Sequence, residues 1–285
     1  MRVLVTGSAG HIGREQVKVL QAAGYDLRTT DRVATVRDHA WEHLPGDLRD
    51  IDFVRRVVQG VDAVVHLGAI PSDRYGSGDE VLTVNVQGTW NVLMACQEAG
   101  VERVVFFSSI NALGCVGGHR PAAYLPIDDA YPRHPMSPYQ LSKHLGEEIC
   151  RCFSEKHGIV TICLRPGFVA APEHYAHFGH GSQEQRAAWQ KDEYWGYVDR
   201  RDVCDAVVRA LQVEGIQHDA FLLFADDTTI DLPTLQLVEQ HYPDTPWKQD
   251  KLAYVADNPY RSVFDASRAK QILGWYPRHS WREAL

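Results

Sequence analysis

Residues 2–13 read RVLVTGSAGHIG, an apolar run followed by three glycines in a G-x-x-G-x-x-G spacing. The glycines, Gly7, Gly10 and Gly13, permit a tight turn, the approach of a diphosphate to backbone N–H groups, and close helix packing. The start of the following helix adds partial positive charge. An incidental turn is the alternative interpretation, and the strand-to-helix context disfavours it. The stretch therefore predicts a dinucleotide site at the end of the first strand.

The same alternation of short apolar runs and helical patterns continues to about residue 165. It predicts strands at 2–6, 26–30, the stretch before Gly46, 61–67, 104–108 and 160–164, and helices at 11–23, 51–58, 79–99 and 137–156. The strands are apolar almost throughout, as parallel strands covered on both faces require. Consecutive βαβ units of this kind predict an α/β Rossmann fold, a doubly wound parallel sheet.

The pattern changes after Pro166. A loop-rich stretch rich in His, Gly and Gln extends to about residue 190, and a helix is predicted at 202–211. We expect residues 1–165 to form a dinucleotide-binding domain. Residues 166–285 then form a smaller, partly helical substrate-binding region, interleaved with the last elements of the sheet. The chain stops inside a helical pattern at 281–285, so a trimmed C-terminus is an open alternative.

Composition excludes several classes of partner. The 285 residues include 37 acidic and 29 basic side chains, a net charge of −8, which opposes attraction to nucleic acid or to an anionic membrane. The N-terminus lacks the pattern of a signal peptide, and no apolar run reaches membrane-spanning length. The six cysteines lie in apolar or helical surroundings, which favours reduced thiols and a cytoplasmic location.

The second predicted strand ends on an acid. Asp31 follows Gly13 by 18 residues, where a carboxylate could accept hydrogen bonds from both ribose hydroxyls of an adenosine. A 2′-phosphate would meet like charge there, so Asp31 favours NAD, although the neighbouring Arg32 softens that preference. A surface aspartate in a turn is the alternative.

The helix predicted at 137–156 carries a tyrosine and a lysine on one face. Ser137 can cap it, Pro138 suits its first position, and Gln140 can complete a capping box. Tyr139 and Lys143 are spaced i,i+4. An ammonium group beside a phenol favours phenolate, which predicts a tyrosine with a lowered pKa that acts as general base.

Ser108 and Ser109 end the preceding strand at its carboxyl edge, where doubly wound sheets bind ligands. The glycine loop, the two serines and the Tyr139–Lys143 pair together resemble those of the extended short-chain dehydrogenases/reductases, also called the NAD-dependent epimerase/dehydratase family. The resemblance covers nearly the whole chain. Its matching pieces are 6–13, 46–48, 66–69, 85–89, 107–109, 139–143, 164–167, 197–202 and 273–277.

The resemblance implies a catalytic set of Ser109, Tyr139 and Lys143. Tyr139 removes the proton of a substrate hydroxyl while the carbon gives hydride to NAD, Ser109 hydrogen-bonds that oxygen, and Lys143 binds the cofactor ribose. The resemblance also implies a set of cofactor-binding residues. In the glycine loop and at the acid after it, they are Gly7, Gly10, His11, Ile12, Gly13, Asp31 and Arg32. The adenine contacts are Asp47 and Leu48, and the nucleotide channel is lined by Leu67, Gly68 and Ala69. On the nicotinamide side they are Asn85, Ser108, Tyr139, Lys143, Pro166, Gly167 and Val169.

The chain departs from the members that act on nucleotide sugars. Phe168 stands where they usually carry an asparagine, and the segment between Pro172 and Tyr197 is short, so we expect a smaller substrate. Length and the run 171–173 resemble the uronate dehydrogenase branch, although Phe168 and Ile110 occupy positions expected to be polar. A sugar, sugar acid or polyol remains open. The expected substrate-binding residues are Ser72, Asp73, Ser109, Asn111, Tyr139 and Phe168, with Arg74 near the mouth.

Two other functions stay open: an epimerase or dehydratase that recycles its NAD, and a non-catalytic protein that senses dinucleotide. No metal is expected. His174, His177 and His180 beside Glu173 are interpreted as loop histidines. Several aromatic residues could stack on a sugar or simply pack: Trp189, Tyr194, Trp195 and Tyr197. The helix at 79–99 could form a homodimer interface or pack on the sheet through Val86, Trp90, Leu93 and Met94.

Overall fold

The computed structural model describes residues 1–34 and 41–284. Its strands, in chain order, are β1 Arg2–Thr6, β2 Asp26–Asp31, β3 Glu42–Pro45, β4 Ala63–His66, β5 Arg103–Phe107, β6 Val160–Pro166, β7 Phe168–Ala170, β8 Tyr197–Asp199 and β9 His218–Leu223. Within the described residues, seven of them form one parallel sheet in the order β3-β2-β1-β4-β5-β6-β9, and β7 pairs with β8. This confirms the predicted doubly wound sheet.

The strand order reverses between β1 and β4. A crevice opens at such a switch point, at the carboxyl ends of the strands, and doubly wound sheets bind their ligands there. The glycine loop follows β1, and Ser109 lies just beyond the end of β5, which is separated from β1 by β4. Strand β9, from the C-terminal region, pairs with β6 and completes the sheet.

Helices cover both faces. They are α1 Gly13–Ala22, α2 Ile51–Val58, α3 Gly78–Leu82, α4 Gly88–Ala99, α5 Pro138–His157, α6 Pro172–Phe178, α7 Gln183–Gln190, α8 Arg200–Gln212, α9 Thr234–His241, α10 Lys251–Val255 and α11 Ser267–Leu273. Side chains alternate across the sheet. Val3 and Val5 pack with α1, α8 and α11 on one face, and Leu4 packs with α2, α4 and α5 on the other. Burial of both apolar faces stabilises the sheet.

The helix predicted at 79–99 is interrupted. Helices α3 and α4 are joined by a wider π-helical turn, Thr83–Gln87. Such turns often occur at functional sites. In this one, the side chain of Asn85 is held by the backbone of Ile70, at 2.7 Å to its N and 3.0 Å to its O.

The start of α5 agrees with the sequence except for one contact. Ser137 caps the helix by accepting from the backbone N–H of Gln140, and Pro138 takes the first position. The expected capping box, in which the Gln140 side chain would accept from the backbone N–H of Ser137, does not form. The Gln140 amide instead accepts from the backbone N–H of Met136 at 2.8 Å and donates to Val116 O at 3.0 Å, because the chain before α5 folds back within its reach.

Two further expectations on the C-terminal region need correction. The stretch predicted as loop-rich contains β7, α6 and α7, since Pro172 and the cap residue Ser182 start short helices. At the end of the chain, only one 3₁₀ turn forms, Trp281–Glu283, and Leu285 lies outside the described residues. Trp281 anchors that turn in the core with 1% exposure.

None of the helices in the described ranges is both long enough and apolar enough to cross a membrane. The six cysteines are free thiols, and five of them are buried. Cys150 lies in the core, whereas Cys152 is exposed.

Candidate active site

The glycine loop is held by contacts that leave no room for side chains. Gly7 has a φ of +67°, and a Cβ there would lie 2.7 Å from the backbone N of Gly68. A Cβ at Gly13 would lie 2.2 Å from Gly7 O. The loop therefore closes on itself and on the turn after β4. Leu48 contacts the same turn, 2.5 Å from where a Cβ on Gly68 would stand, and this brings the predicted adenine contacts next to the loop.

Asp31 lies beside the glycine loop. Its Oδ2 accepts a hydrogen bond from Ala9 N at 3.0 Å, and its Oδ1 accepts one from Val33 N at 3.2 Å. Each carboxylate oxygen has a second acceptor position, so the group can still take ribose hydroxyls. The structure thus places the acid where the sequence predicts it, with its orientation set by the backbone.

Asp47, which the family resemblance makes an adenine contact together with Leu48, interacts with two arginines. Arg49 donates to both carboxylate oxygens of Asp47, at 3.0 Å and 2.6 Å. These hydrogen bonds, and to a lesser degree the charge of Arg32, lower the pKa of Asp47. Asp47 is therefore ionised at neutral pH.

A buried histidine ties the glycine loop to the helix layer. His66 Nδ1 lies 2.8 Å from Thr6 Oγ1, and Nε2 lies 3.0 Å from Thr89 Oγ1. Thr89 donates to Asn85 O, so it accepts from Nε2–H. A neutral ring protonated on Nε2 has an acceptor Nδ1, so Thr6 donates to Nδ1, while the Thr6 oxygen also accepts from Gly68 N. Burial lowers the pKa of His66 to about 3, which keeps the ring neutral and suits this pattern.

The predicted catalytic residues converge at the carboxyl edge of β5. Ser109 lies near enough to Tyr139 to oppose the rise of the tyrosine pKa, and its Oγ accepts from the backbone N–H of Asn111 at 3.2 Å. Asn111 Nδ2 lies 3.3 Å from the same oxygen. Lys143 Nζ donates to Phe107 O at 2.7 Å and lies 5.8 Å from the centre of the Tyr139 ring.

The electrostatics of the tyrosine differ from the expectation. Burial raises the pKa of Tyr139 to about 12, the carboxylate of Asp73 adds to this shift, and the hydrogen bond with Ser109 opposes it. Burial lowers the pKa of Lys143 to about 8, against the opposing charge of Glu147. Burial and Asp73 therefore outweigh the effect expected from the i,i+4 lysine.

A buried ion pair lies below Lys143, one helical turn further along α5. Arg165 donates from Nε and Nη2 to the two oxygens of Glu147, at 2.7 Å and 2.8 Å, and each side chain is 1% exposed. Ser108 Oγ donates to the same carboxylate. Together these hydrogen bonds hold the pKa of Glu147 down despite its burial. The pair fixes α5 against β6.

Several predicted site residues have side chains engaged in internal contacts. The hydroxyl of Ser108 is on Glu147, and the amide of Asn85 donates to Ser142 as well as contacting Ile70. Asp73 accepts from Ser137 Oγ at 2.6 Å and from the backbone N–H of Tyr139 at 2.8 Å, so it caps α5. Their predicted contacts with cofactor or substrate remain predictions.

The segment after β6 forms a wall of the site. Gly167 packs on the Phe224 ring, 2.2 Å from where a Cβ would stand, and Val169 pairs with Val198 of β8. Phe168 is 51% exposed, and its ring lies 5.7 Å from that of His174 on α6. An open aromatic ring therefore faces outward where nucleotide-sugar members usually carry an amide.

The aromatic cluster separates into two kinds of residue. Tyr194, Trp195 and Tyr197 are at most 1% exposed and pack in the core, whereas Trp189 is 82% exposed. The three buried rings are packing anchors. Across residues 1–34 and 41–284, no group of three His, Cys, Asp or Glu side chains is arranged to hold a metal.

Arg200 carries no predicted role, although it lies inside the matched run 197–202. Its Nη1 donates to Nδ1 of His11, in the glycine loop, at 3.2 Å. The two residues are far apart in sequence, and nothing in the sequence pairs them. The only available signal is the position of Arg200 at the start of α8.

Comparisons with known proteins agree with this architecture. The model of the NAD dependent epimerase/dehydratase family matches residues 3–222. A uronate dehydrogenase of Pseudomonas syringae pv. tomato is 35% identical over 169 residues, 58% of this chain and 58% of the relative. A UDP-glucose 4-epimerase of Mycolicibacterium smegmatis is 29% identical over 310 residues, 100% of this chain and 96% of the relative.

A solved short-chain dehydrogenase/reductase superfamily protein from Agrobacterium tumefaciens, with bound NAD, has the same fold. The TM-score is 0.75 at 24% identity, and the match covers 99% of this chain and 94% of that one. The chain spans about 58% of the length of the uronate dehydrogenase that it matches.

Proposed function

Because the chain belongs to the NAD dependent epimerase/dehydratase family, we propose that it is an NAD-dependent oxidoreductase of the extended short-chain dehydrogenase type. It acts at a hydroxyl-bearing carbon of a sugar, sugar acid or similar small molecule. One observation carries the proposal: Ser109, Tyr139 and Lys143 converge at the sheet edge that also bears the glycine loop. Residues 1–165 form the dinucleotide-binding domain, and residues 166–285 form the smaller substrate-binding region.

The residues present fit a dinucleotide. The glycine loop offers backbone N–H groups without side-chain obstruction, Asp31 is oriented for ribose hydroxyls, and Leu48 contacts the turn at Gly68 beside them. NAD, when bound, accepts a hydride from the substrate carbon. The acid at the end of β2 disfavours the additional phosphate of NADP.

The chain's own residues handle the proton. Tyr139, as phenolate, accepts the proton of the substrate hydroxyl, while Ser109 Oγ hydrogen-bonds the same oxygen. Asn111 restrains that serine from two sides, through its backbone N–H and its amide. The ammonium of Lys143 is anchored on Phe107 O, 5.8 Å from the centre of the Tyr139 ring, and in this proposal its charge favours the phenolate formed during the reaction.

A free sugar acid is the first substrate to test, and similarity to a uronate dehydrogenase supports that choice. The exposed ring of Phe168 offers an apolar face to the C–H surface of a sugar. Ser72 and Asp73, with Arg74, lie on the turn before α3, at the approach to Tyr139.

An NAD-recycling sugar epimerase or dehydratase is the second candidate. Similarity to a UDP-glucose 4-epimerase over the full chain favours it. A protein that only senses dinucleotide is the third, and the complete catalytic set argues against it, since sensing alone needs no general base.

The deciding experiment mixes purified protein and NAD with uronic acids, aldoses and polyols and follows NADH absorbance, with Tyr139→Phe as the control. Net NADH formed by the wild type alone supports the dehydrogenase. No NADH from any compound, together with a changed product from UDP-sugars, would replace it with the recycling enzyme. Binding of NAD without any turnover would favour the sensor.

A homodimer through α4 and α5 completes the proposal. An open groove runs between α5 and the segment from the end of α3 through the π-helical turn to the start of α4, and all its lining side chains are uncharged: Leu82, Thr83, Val86, Gln87, Trp90, Leu141, Leu145 and Ile149. An uncharged helix pair can pack on the same pair of a second copy across a two-fold axis. Leu93 is fully buried in the core instead. The free thiols support a reducing, cytoplasmic setting.

A further inference from the structure

Arg200 has no salt-bridge partner among the described residues. Its neighbour Arg201 takes the nearby carboxylate, donating to Asp199 at 2.8 Å and 3.0 Å. Among the described residues, no carboxylate forms a salt bridge with Arg200, and its Nε is buried without a hydrogen-bond partner. A half-buried guanidinium in this state is costly unless an anion joins it.

The guanidinium is held against the glycine loop by one contact. Arg200 Nη1 donates to His11 Nδ1 at 3.2 Å, so a neutral His11 carries its proton on Nε2. The charge of Arg200, together with burial, lowers the pKa of His11, which keeps the ring a neutral acceptor. The contact thus fixes the position of the arginine without neutralising it.

The backbone of the same loop has open donors. Gly10 N is bonded within the loop and Ala9 N is bonded to Asp31. Over the described ranges, the N–H groups of His11, Ile12 and Gly13 have no internal acceptor. Open N–H groups at the start of a helix attract anions, and α1 begins here. The unpaired arginine and the open donors therefore meet at one place.

We propose that Arg200, positioned by His11, binds the diphosphate of the dinucleotide and clamps it against the glycine loop. The inference rests on the proposed function, because it takes NAD as the ligand. It adds a residue at the start of α8, far along the chain from the glycine loop, to the diphosphate part of the cofactor site. Arginine suits the task because its planar N–H groups can bridge two phosphate oxygens.

Helix α6 lies over this contact. The His174 ring is 6.1 Å from that of His11 and 5.7 Å from that of Phe168. Glu173, at the start of α6, is the acid whose pKa responds to Arg200 and both histidines, yet it is not paired with the arginine. Glu173 compensates the arginine only from beyond salt-bridge distance, and the diphosphate would supply a direct anionic partner.

The test measures ligand binding by calorimetry, without turnover. Arg200→Gln is compared with wild type for NAD, ADP-ribose and adenosine, and Lys18→Gln, an exposed cation on α1, controls for net charge. We expect NAD and ADP-ribose to bind about tenfold more weakly or worse to Arg200→Gln, because a charge-assisted hydrogen bond is lost. Adenosine, which lacks phosphate, should bind equally. Arg200→Lys should lose less than Arg200→Gln.

The binding results for wild type and Arg200→Gln distinguish a failure of the proposed clamp from a failure of the proposed function. Wild type that binds neither NAD nor ADP-ribose overturns both. Wild type that binds NAD, with Arg200→Gln equal to Lys18→Gln, overturns only the clamp. An equal loss for adenosine and ADP-ribose would also overturn it, since the effect would not depend on the phosphates. Thermal unfolding of each variant checks that it is folded.

Discussion

The carboxylate of Asp73 accepts a hydrogen bond from the backbone N–H of Tyr139 at 2.8 Å and another from Ser137 at 2.6 Å. One acid therefore caps the helix that carries the proposed general base and places a negative charge beside it. A negative charge near a phenol disfavours phenolate, and Asp73 helps to raise the pKa of Tyr139 to about 12.

We predict that Asp73→Asn shifts the pH dependence of kcat/KM to lower pH. Activity rises with pH as Tyr139 loses its proton, and removal of the negative charge favours that loss. The asparagine oxygen can keep one of the two capping hydrogen bonds. Asp79→Asn, on the exposed first turn of α3, is the control. A rising limb that stays in place, or moves to higher pH, would contradict the prediction.

Tyr139→Phe should lower kcat by about 10²- to 10⁴-fold, the usual contribution of a general base. The phenol oxygen is the only group removed, and its partner Ser109 keeps its contacts with Asn111. Stability and NAD affinity should therefore change little. Steady-state kinetics, thermal unfolding and NAD titration measure the three quantities. Unchanged turnover on an identified substrate would remove Tyr139 from the chemistry.

Cofactor preference should depend on the charge of Asp31. Asp31→Asn removes the charge and keeps an oxygen that can accept from Ala9 N, so it should relax the preference for NAD over NADP with the glycine loop intact. Asp31→Ala also loses that hydrogen bond and should weaken both cofactors. The Kd ratio for the two cofactors is the measurement. The same ratio in wild type and Asp31→Asn would exclude the acid from the ribose site.

The buried pair of Glu147 and Arg165 should dominate the stability of α5. Glu147→Gln removes the bidentate counter-charge and leaves the buried guanidinium only the longer contact with Asp129, at 3.4 Å, so it should cost about 3–5 kcal/mol in the free energy of unfolding. Glu148→Gln is the matched control, since its side chain is 37% exposed and pairs with Arg151, a type of pair worth about 1 kcal/mol or less. Urea unfolding measures both. Similar losses would contradict the assigned role of the pair.

Trp90→Lys should disrupt the proposed dimer. Its ring is 47% exposed in the groove beside α5, where a charge would be buried by a second copy. Trp189→Lys, at a ring that is 82% exposed on α7, should leave the oligomeric state unchanged. Light scattering after size-exclusion chromatography gives the mass of each. A monomeric wild type, or a dimer that survives Trp90→Lys, would rule out this interface.

The sheet and the positions of its loops could be predicted because each depends on local pattern. Continuous apolar runs give buried parallel strands, and the glycine spacing of Gly7 to Gly13 places the turn. Tyr139 and Lys143 are predictable for the same reason, since i,i+4 spacing puts them on one face of α5.

Contacts between distant segments could not be predicted in this way. The pairing of His11 with Arg200 depends on how α8 packs beside α1, and the cap that Asp73 gives to α5 depends on the path of the turn after β4. The failed capping box at Gln140 has the same origin, since the side chain found a nearer partner in Met136 N. Local rules describe what a residue can do, and tertiary packing selects among those contacts.

The contact of Gly7 with Gly68 puts two main chains from neighbouring strands against each other beneath the glycine loop. Neither glycine can bear a side chain at this contact, so the close approach of the two main chains shapes this part of the crevice. Natural drift or protein engineering that seeks a different ligand must therefore act at the rim, on residues such as Asp31 and Arg200. The main-chain contact between Gly7 and Gly68 is a consequence of the strand order, whereas side chains such as Asp31 and Arg200 can change without altering it.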